Sequence, residues 1–282
     1  MSSEMQALLE AQYAKLELEW LECVNLNQQK LKKPVVHQMR VNLKKQLAFL
    51  ILMQHVVEQE RLAEYAKVIR ALQKQLGKLR NCQVQRTKAE LIESDLGHEY
   101  NISNFLKEKE ADYQEGWSKF IEDTNPVEAM AGIRVLVSAA LEKISPDLLE
   151  GTILGGFRHI LFEIKSLSNI AGFNTDVFHE LRVFLKQLIY CWDFLQPHFA
   201  DLPIEPAFWQ VVKQLEQALG EWHDYKSLLK KVETDKDEAF AFVVKDYLED
   251  YKERARALLP LLDEMIPTIE PLFLSKHAAE VS

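Results

Sequence analysis

The chain has 282 residues, 48% of them hydrophobic and 27% charged, which is material for one large domain or two of average size. Nine glycines and nine prolines are too few for a β-sandwich or barrel, which needs turn residues roughly every 8–12 positions. Three dispersed cysteines (Cys23, Cys82, Cys191) exclude a disulfide scaffold and a Cys-x-x-Cys zinc site, and the formal charge of −9 argues at first sight against a polyanion ligand. Almost every segment repeats its apolar residues at helical period. Helices are expected over 4–30, 35–57, 60–94, 104–122, 128–144, 146–168, 176–196, 206–233 and 237–265. Asn174 or Thr175 is placed to cap the seventh of these. The expectation is an all-α, bundle-like fold. The longest uncharged apolar stretch, 46–57, is short of the roughly 20 residues a membrane span needs. The opening MSSEMQALLE has neither the basic nor the apolar region of a signal peptide, so a soluble, cytoplasmic protein is expected.

The charge is segregated. Residues 24–89 hold fourteen Lys and Arg against Glu58, Glu60 and Glu64, a balance of +11, and the rest of the chain carries −20. Attraction depends on the local field, so a polyanion ligand is open again.

An internal repeat organises the chain. His37-Gln38-Met39-Arg40-Val41-Asn42-Leu43-Lys44 opens one long helix, and Leu76-Gly77 follows with Arg80 and Asn81. His179-Glu180-Leu181-Arg182-Val183-Phe184-Leu185-Lys186 opens another, and Leu219-Gly220 follows with His223 and Asp224. The offset is 142 at the histidines and 143 at the glycines. Two related halves are expected, 1–122 and 126–282.

At about 100° per residue, the histidine, arginine and lysine of each copy fall within an arc of about 60° near the helix start. Met39, Leu43, Leu47 and Leu50 point elsewhere and are the expected buried stripe of the first copy. An arginine fork, a lysine point charge and free peptide N–H groups together suit phosphate oxygens. The candidate contacts are His37, Arg40, Lys44 and Lys45 in the first copy and His179, Arg182 and Lys186 in the second. The long helix after the first copy adds Arg70, Lys74, Lys78 and Arg80. The repeat offset turns these four into Lys213, Gln217, Glu221 and His223, so the first half is expected to dominate anion binding, with Lys213 the one firm cation kept. The two His-x-x-Arg-Val-x-x-Lys helices are expected to lie side by side with their basic rows on one surface.

The two motifs, in order and at these separations, resemble the CHAD family (conserved histidine α-helical domain), over essentially the whole chain up to about residue 265. That resemblance implies two helical bundles related by a pseudo-twofold axis, with a basic surface or pore between them. It also implies non-catalytic binding of inorganic polyphosphate. The chain departs from the family pattern at Leu47, Gln187 and Ile189, where Arg or Lys is usual, and at Asn81, where Asp is usual.

Other chemistries find less support. A di-iron bundle needs paired Glu-x-x-His, which is absent; Asp95-x-x-His98 reads as a loop, and Asp176-x-x-His179 as a helix start. His159 and Glu163 suit an ion pair better than a metal site, and a histidine metal site joining His37 to His179 is the weaker alternative. No P-loop, His-Glu-x-x-His or Gly-x-Ser-x-Gly motif occurs, and Gly151-x-x-x-Gly155-Gly156 reads as a helix-packing or kinking feature. Nucleic acid is disfavoured because 24–89 interleaves only Phe49 and Tyr65 with its cations. The cysteines and the five tryptophans read as core. Nothing calls for a cofactor. The competing functional reading is a helical interaction module whose basic stripe is neutralised by acids of the same chain.

Overall fold

The computed structural model describes residues 2–25, 31–97, 101–235 and 238–273. Among them every regular element is helical: α1 (Ser2–Asn25), α2 (Lys33–Leu52), α3 (Gln59–Leu96), α4 (Ile102–Thr124), α5 (Pro126–Leu141), α6 (Pro146–Ala171), α7 (Phe178–Leu195), α8 (Pro206–Asp235) and α9 (Glu238–Ile269). Short 3-10 turns cover Thr175–Val177 and Glu270–Phe273. The all-α expectation holds. No helix among the described residues is long and apolar enough to cross a membrane. The expected extension of the first helix to Lys30, the loop at His98 and the start of the last helix at Asp237 lie outside the described residues.

Punctuation residues set the boundaries. Proline occupies the first turn of α2, α5 and α6, where its missing N–H would have had no intrahelical partner. Gly97 ends α3 in the left-handed conformation at φ 64°. Asn125, at φ 39°, is the one described non-glycine residue with positive φ, and it forms the corner between α4 and α5. The Asn174 side chain accepts the Asp176 N–H at 2.8 Å and so caps the turn leading into α7.

The two largest departures from the sequence reading are at helix ends. α2 stops at Leu52 rather than Val57: the N–H groups of Val56 and Val57 both donate to the Met53 carbonyl, and this turn buries Met53 and Val57 together. α9 continues past Met265 to Ile269 through Pro260 and Pro267. Each of those prolines removes one backbone donor, but Leu259, Leu262, Ile266 and Ile269 are buried and hold the helix to the core.

The larger core joins elements from both ends of the chain. Phe49 on α2 meets Tyr13 on α1 at 5.1 Å and Phe194 on α7 at 5.5 Å. Met39, Leu43 and Leu50 are buried as expected, while Leu47 is only partly covered. Burying one such side chain fully contributes about 1.5–3 kcal/mol, so these three positions fix the roll of α2. That roll leaves Arg40 and Lys44 on a different ridge, about 100° around the helix. Four of the tryptophans are buried, and Trp209 is half-buried against Trp192. Cys82 and Cys191 are buried, Cys23 is half-covered, and none forms a disulfide. The Gly151, Gly155 and Gly156 reading needs correction: a Cβ at any of them would meet open space, so close packing does not require them.

Candidate functional site

α2 packs against α7, α3 against α2, and α8 against both α7 and α3. The two basic helices therefore lie side by side, flanked by the two glycine-bearing helices, and together they line a cavity of about 540 Å³. α2 contributes His37, Arg40 and Lys44; α7 contributes His179, Arg182 and Lys186. Arg80 and Asn81 line it from α3, and Glu216, His223 and Asp224 from α8.

The glycine of each repeat is the floor under its arginine. Arg40 Nη1 donates to the Gly77 carbonyl at 3.1 Å and to Asn81 Oδ1 at 3.2 Å. A Cβ at Gly77 would lie 3.6 Å from that Nη1, and one at Gly220 would lie 2.9 Å from Arg182 Nη2. Each guanidinium thus lies over helix backbone, at ordinary contact distance for a Cβ at Gly77 and too close for one at Gly220. The spacing of about forty residues between motif arginine and glycine brings the two onto facing ridges of neighbouring helices.

The two copies differ in their counter-ions. In the second, Arg182 Nε and Lys186 Nζ both meet Glu216 Oε1, at 3.1 Å and 2.8 Å. In the first, Arg40 bonds only neutral acceptors, and no carboxylate among the described residues forms an ion pair with Arg40, Lys44 or Arg80. The electrostatics follow this split. Burial first, then Lys186, Arg40 and Arg182, push the Lys44 ammonium down to about 6. Burial, with Arg80 and Arg182 adding and Asp224 opposing, lowers Arg40 to about 10. Burial and the surrounding cations lower His37 and bring His223 to about 4, so the cavity histidines His37 and His223 are neutral near pH 7. The His179 and His223 rings stand 5.1 Å apart. On the acidic side, burial raises Asp224 despite Arg182 and Lys88. Burial would raise Glu216 as well, but Lys186 and Arg182 outweigh it and hold the carboxyl below its usual range. Burial, with Glu216 and Asp193 adding, takes the Tyr190 phenol at the cavity wall up to about 12.

Of the twelve residues singled out from the sequence, His37, Arg40, Lys44, Arg80, His179, Arg182 and Lys186 meet in this cavity. The other five do not. Lys45 turns toward α7, 3.7 Å from Asp193, and lines a separate hollow beside Glu19 and Glu22 of α1. Lys213 sits on the rim of a cavity of about 690 Å³ walled by the stacked Trp192 and Trp209. Arg70, Lys74 and Lys78 are exposed on α3. Arg70 shares the ridge of Gly77 but lies seven residues, about 10 Å, along the axis; Lys74 and Lys78 fall on the solvent side of that ridge. Among the lining residues not anticipated as contacts are Glu216, Asp224 and Tyr190. The 143 offset carries Gln73 to Glu216 and Asn81 to Asp224, so the repeat held a signal for two of them.

His159 and Glu163 form the expected pair at 3.9 Å. No group of three His, Cys, Asp or Glu among the described residues is placed to hold a metal ion, so the join between His37 and His179 lacks further ligands there.

Comparison with known proteins returns one consistent answer. The CHAD domain family model matches residues 7–232. The crystal structure of the CHAD domain from the plant Ricinus communis superposes with a TM-score of 0.65 at 14% identity, covering 91% of each chain. No curated protein matches the sequence.

Proposed function

The chain belongs to the CHAD domain family, and we propose that it binds inorganic polyphosphate, without turning it over, in the cavity between α2, α3, α7 and α8. The observation that carries this reading is the first-repeat cluster, in which Arg40 and Arg80 have Asp224 nearby but neither they nor Lys44 form an ion pair among the described residues. Five Lys and Arg side chains line the cavity against two carboxylates, and burial, with Lys186, Arg40 and Arg182 adding, pushes the Lys44 ammonium down to about 6. A phosphate oxygen supplies the missing charge and accepts from Arg40 and Lys44 together. The reading keeps the two repeats, 1–122 and 126–282, as halves of one binding unit about a pseudo-twofold axis.

Binding without turnover fits the donor set. Phosphoryl transfer needs acids that hold Mg²⁺ beside the phosphate and a positioned nucleophile. Glu216 is already held by two cations. A second reading, a scaffold with an internally neutralised stripe, draws on that same pairing, but it accounts for the second repeat alone.

The test is calorimetric titration with polyphosphate at several salt concentrations. Affinity should fall steeply with salt through counterion release, as it does for nucleic-acid binders, and Lys44→Ala should weaken it by about tenfold or more. Binding that ignores both salt and Lys44 would overturn the reading.

A further inference from the structure

Glu216 is an acid without a counterpart. At the matching position the first repeat has Gln73, which is neutral. Glu216 lies on α8 one turn before Gly220, and a single oxygen, Oε1, receives both Arg182 and Lys186. One anionic oxygen between a guanidinium and an ammonium is the arrangement a phosphate oxygen adopts with the same two groups. All three side chains are about four-fifths covered, so water screens the contact poorly. Across the cavity floor, Lys44 has Lys186 as a close neighbour, and Arg40 holds only the Gly77 carbonyl and Asn81. The cavity therefore has one seat held in ion pairs by the chain's own Glu216 and one, with Asp224 nearby, whose cations form no ion pair among the described residues.

We propose that Glu216 is a built-in phosphate surrogate that sets the length of chain the cavity favours: a short run of phosphates settles on Arg40, Lys44 and Arg80, and Glu216 opposes its continuation across Arg182 and Lys186. This inference rests on the polyphosphate reading above. A short anion seated on the first repeat leaves the Glu216 contacts intact. A longer chain crossing to α7 must either displace Glu216 from both cations or run its own negative charge beside a carboxylate. Lys186 and Arg182 keep Glu216 ionised, so the opposition persists at neutral pH. The two seats adjoin where Lys44 and Lys186 are near neighbours, so a chain crossing there meets the carboxylate that Lys186 holds.

The test compares wild type, Glu216→Gln and Glu216→Asp by calorimetry at one moderate salt concentration, with tripolyphosphate and with a polyphosphate tens of phosphates long. Thermal melts establish that each variant is folded. Glu216→Gln should bind the long chain about tenfold tighter than wild type while its tripolyphosphate affinity changes by less than about threefold. Glu216→Asp, which keeps the charge, should stay near the wild-type preference. If Glu216→Gln strengthens both ligands equally, Glu216 acts as general charge and not on length, and the proposal falls. It falls as well if neither affinity moves. A wild type that binds neither ligand while Glu216→Gln binds the long one removes the short-chain seat and overturns the length rule. If all three proteins bind neither ligand, the polyphosphate reading itself is overturned together with this one, whereas a wild type that binds with no Glu216→Gln effect overturns this one alone.

Discussion

Arg182 sits closer to Gly220 than Arg40 does to Gly77: a Cβ would lie 2.9 Å from the first guanidinium and 3.6 Å from the second. The pairing of a motif arginine with a glycine some forty residues later is thus a contact, and its tightness differs between the repeats. Glu216 draws Arg182 down by its Nε on the same helix that carries Gly220, while Arg40 hangs from a backbone carbonyl and an amide side chain.

Gly77→Ala and Gly220→Ala should therefore behave differently. Alanine is favoured over glycine inside a helix by about 1 kcal/mol. At Gly77 the new methyl meets Arg40 at ordinary contact distance, so most of that gain survives and the melting temperature rises by about 2 °C. At Gly220 the methyl pushes Arg182 off its seat beside Glu216, and the gain is cancelled. Thermal melts of the two variants decide it; equal rises would mean that Arg182 moves aside at no cost.

Much of this was legible in the chain. The repeat identified α2 and α7 as partners, and the wheel placed Arg40 and Lys44 on one ridge with Met39, Leu43 and Leu50 on another. What a wheel lacks is distance along the axis and the identity of the facing helix. Arg70 has the right angle and lies about 10 Å too far from Gly77. Lys45 follows Lys44 directly, yet about 100° of rotation turns it to Asp193 and the acids of α1. Glu216 was written into the repeat by its offset from Gln73, but only the meeting of α7 with α8 brings it to Arg182.

Outlying cations should contribute little. Arg70→Ala/Lys74→Ala/Lys78→Ala removes three exposed positive charges from α3 without touching the cavity. Tripolyphosphate affinity should change by less than about threefold, because exposed charges outside the cavity are screened by water and salt. A loss as large as that of Arg40→Ala would place the ligand along the outer face of α3 instead.

The seats can be separated by charge. Arg40→Ala/Lys44→Ala removes two cations from the first-repeat seat, so affinity should fall by at least about tenfold and the slope of affinity against salt by about 1 to 2. Removing Arg182 and Lys186 alone would strand a buried carboxylate, so the clean comparison is Arg182→Ala/Lys186→Ala/Glu216→Gln, which loses one net positive charge. Its tripolyphosphate affinity should fall less than that of the first pair. Equal losses, measured by calorimetry at two salt concentrations, would mean that the ligand occupies both seats alike.

Lys44 makes binding proton-linked. Its folded value of about 6 lies below the ordinary lysine value of 10.5, so between those limits the unfolded chain holds a proton that the folded chain does not. Stability from this group therefore rises as pH rises through that window, and the cost of burying the ammonium is fully present below about 6. The groups facing it are Lys186 and Arg182 from α7 and Arg40 from its own helix, with Glu216 from α8 and Tyr190 on the cavity wall. Glu216 and Tyr190 do not titrate near pH 7, the first being held low and the second raised to about 12. His37 and His223 line the same cavity but are lowered, His223 to about 4, so neither takes up a proton near pH 8 without a bound anion. A phosphate seated on Lys44 raises its affinity for a proton, so at pH 8 binding should take up close to one proton, and affinity should decline as pH climbs above about 6. Titrations at pH 8 in buffers of different ionisation enthalpy read the uptake directly. Lys44→Met should abolish it while leaving the fold intact, since its unbranched side chain replaces the covered stem. Uptake that survives Lys44→Met would assign the proton to His37 or His223 instead.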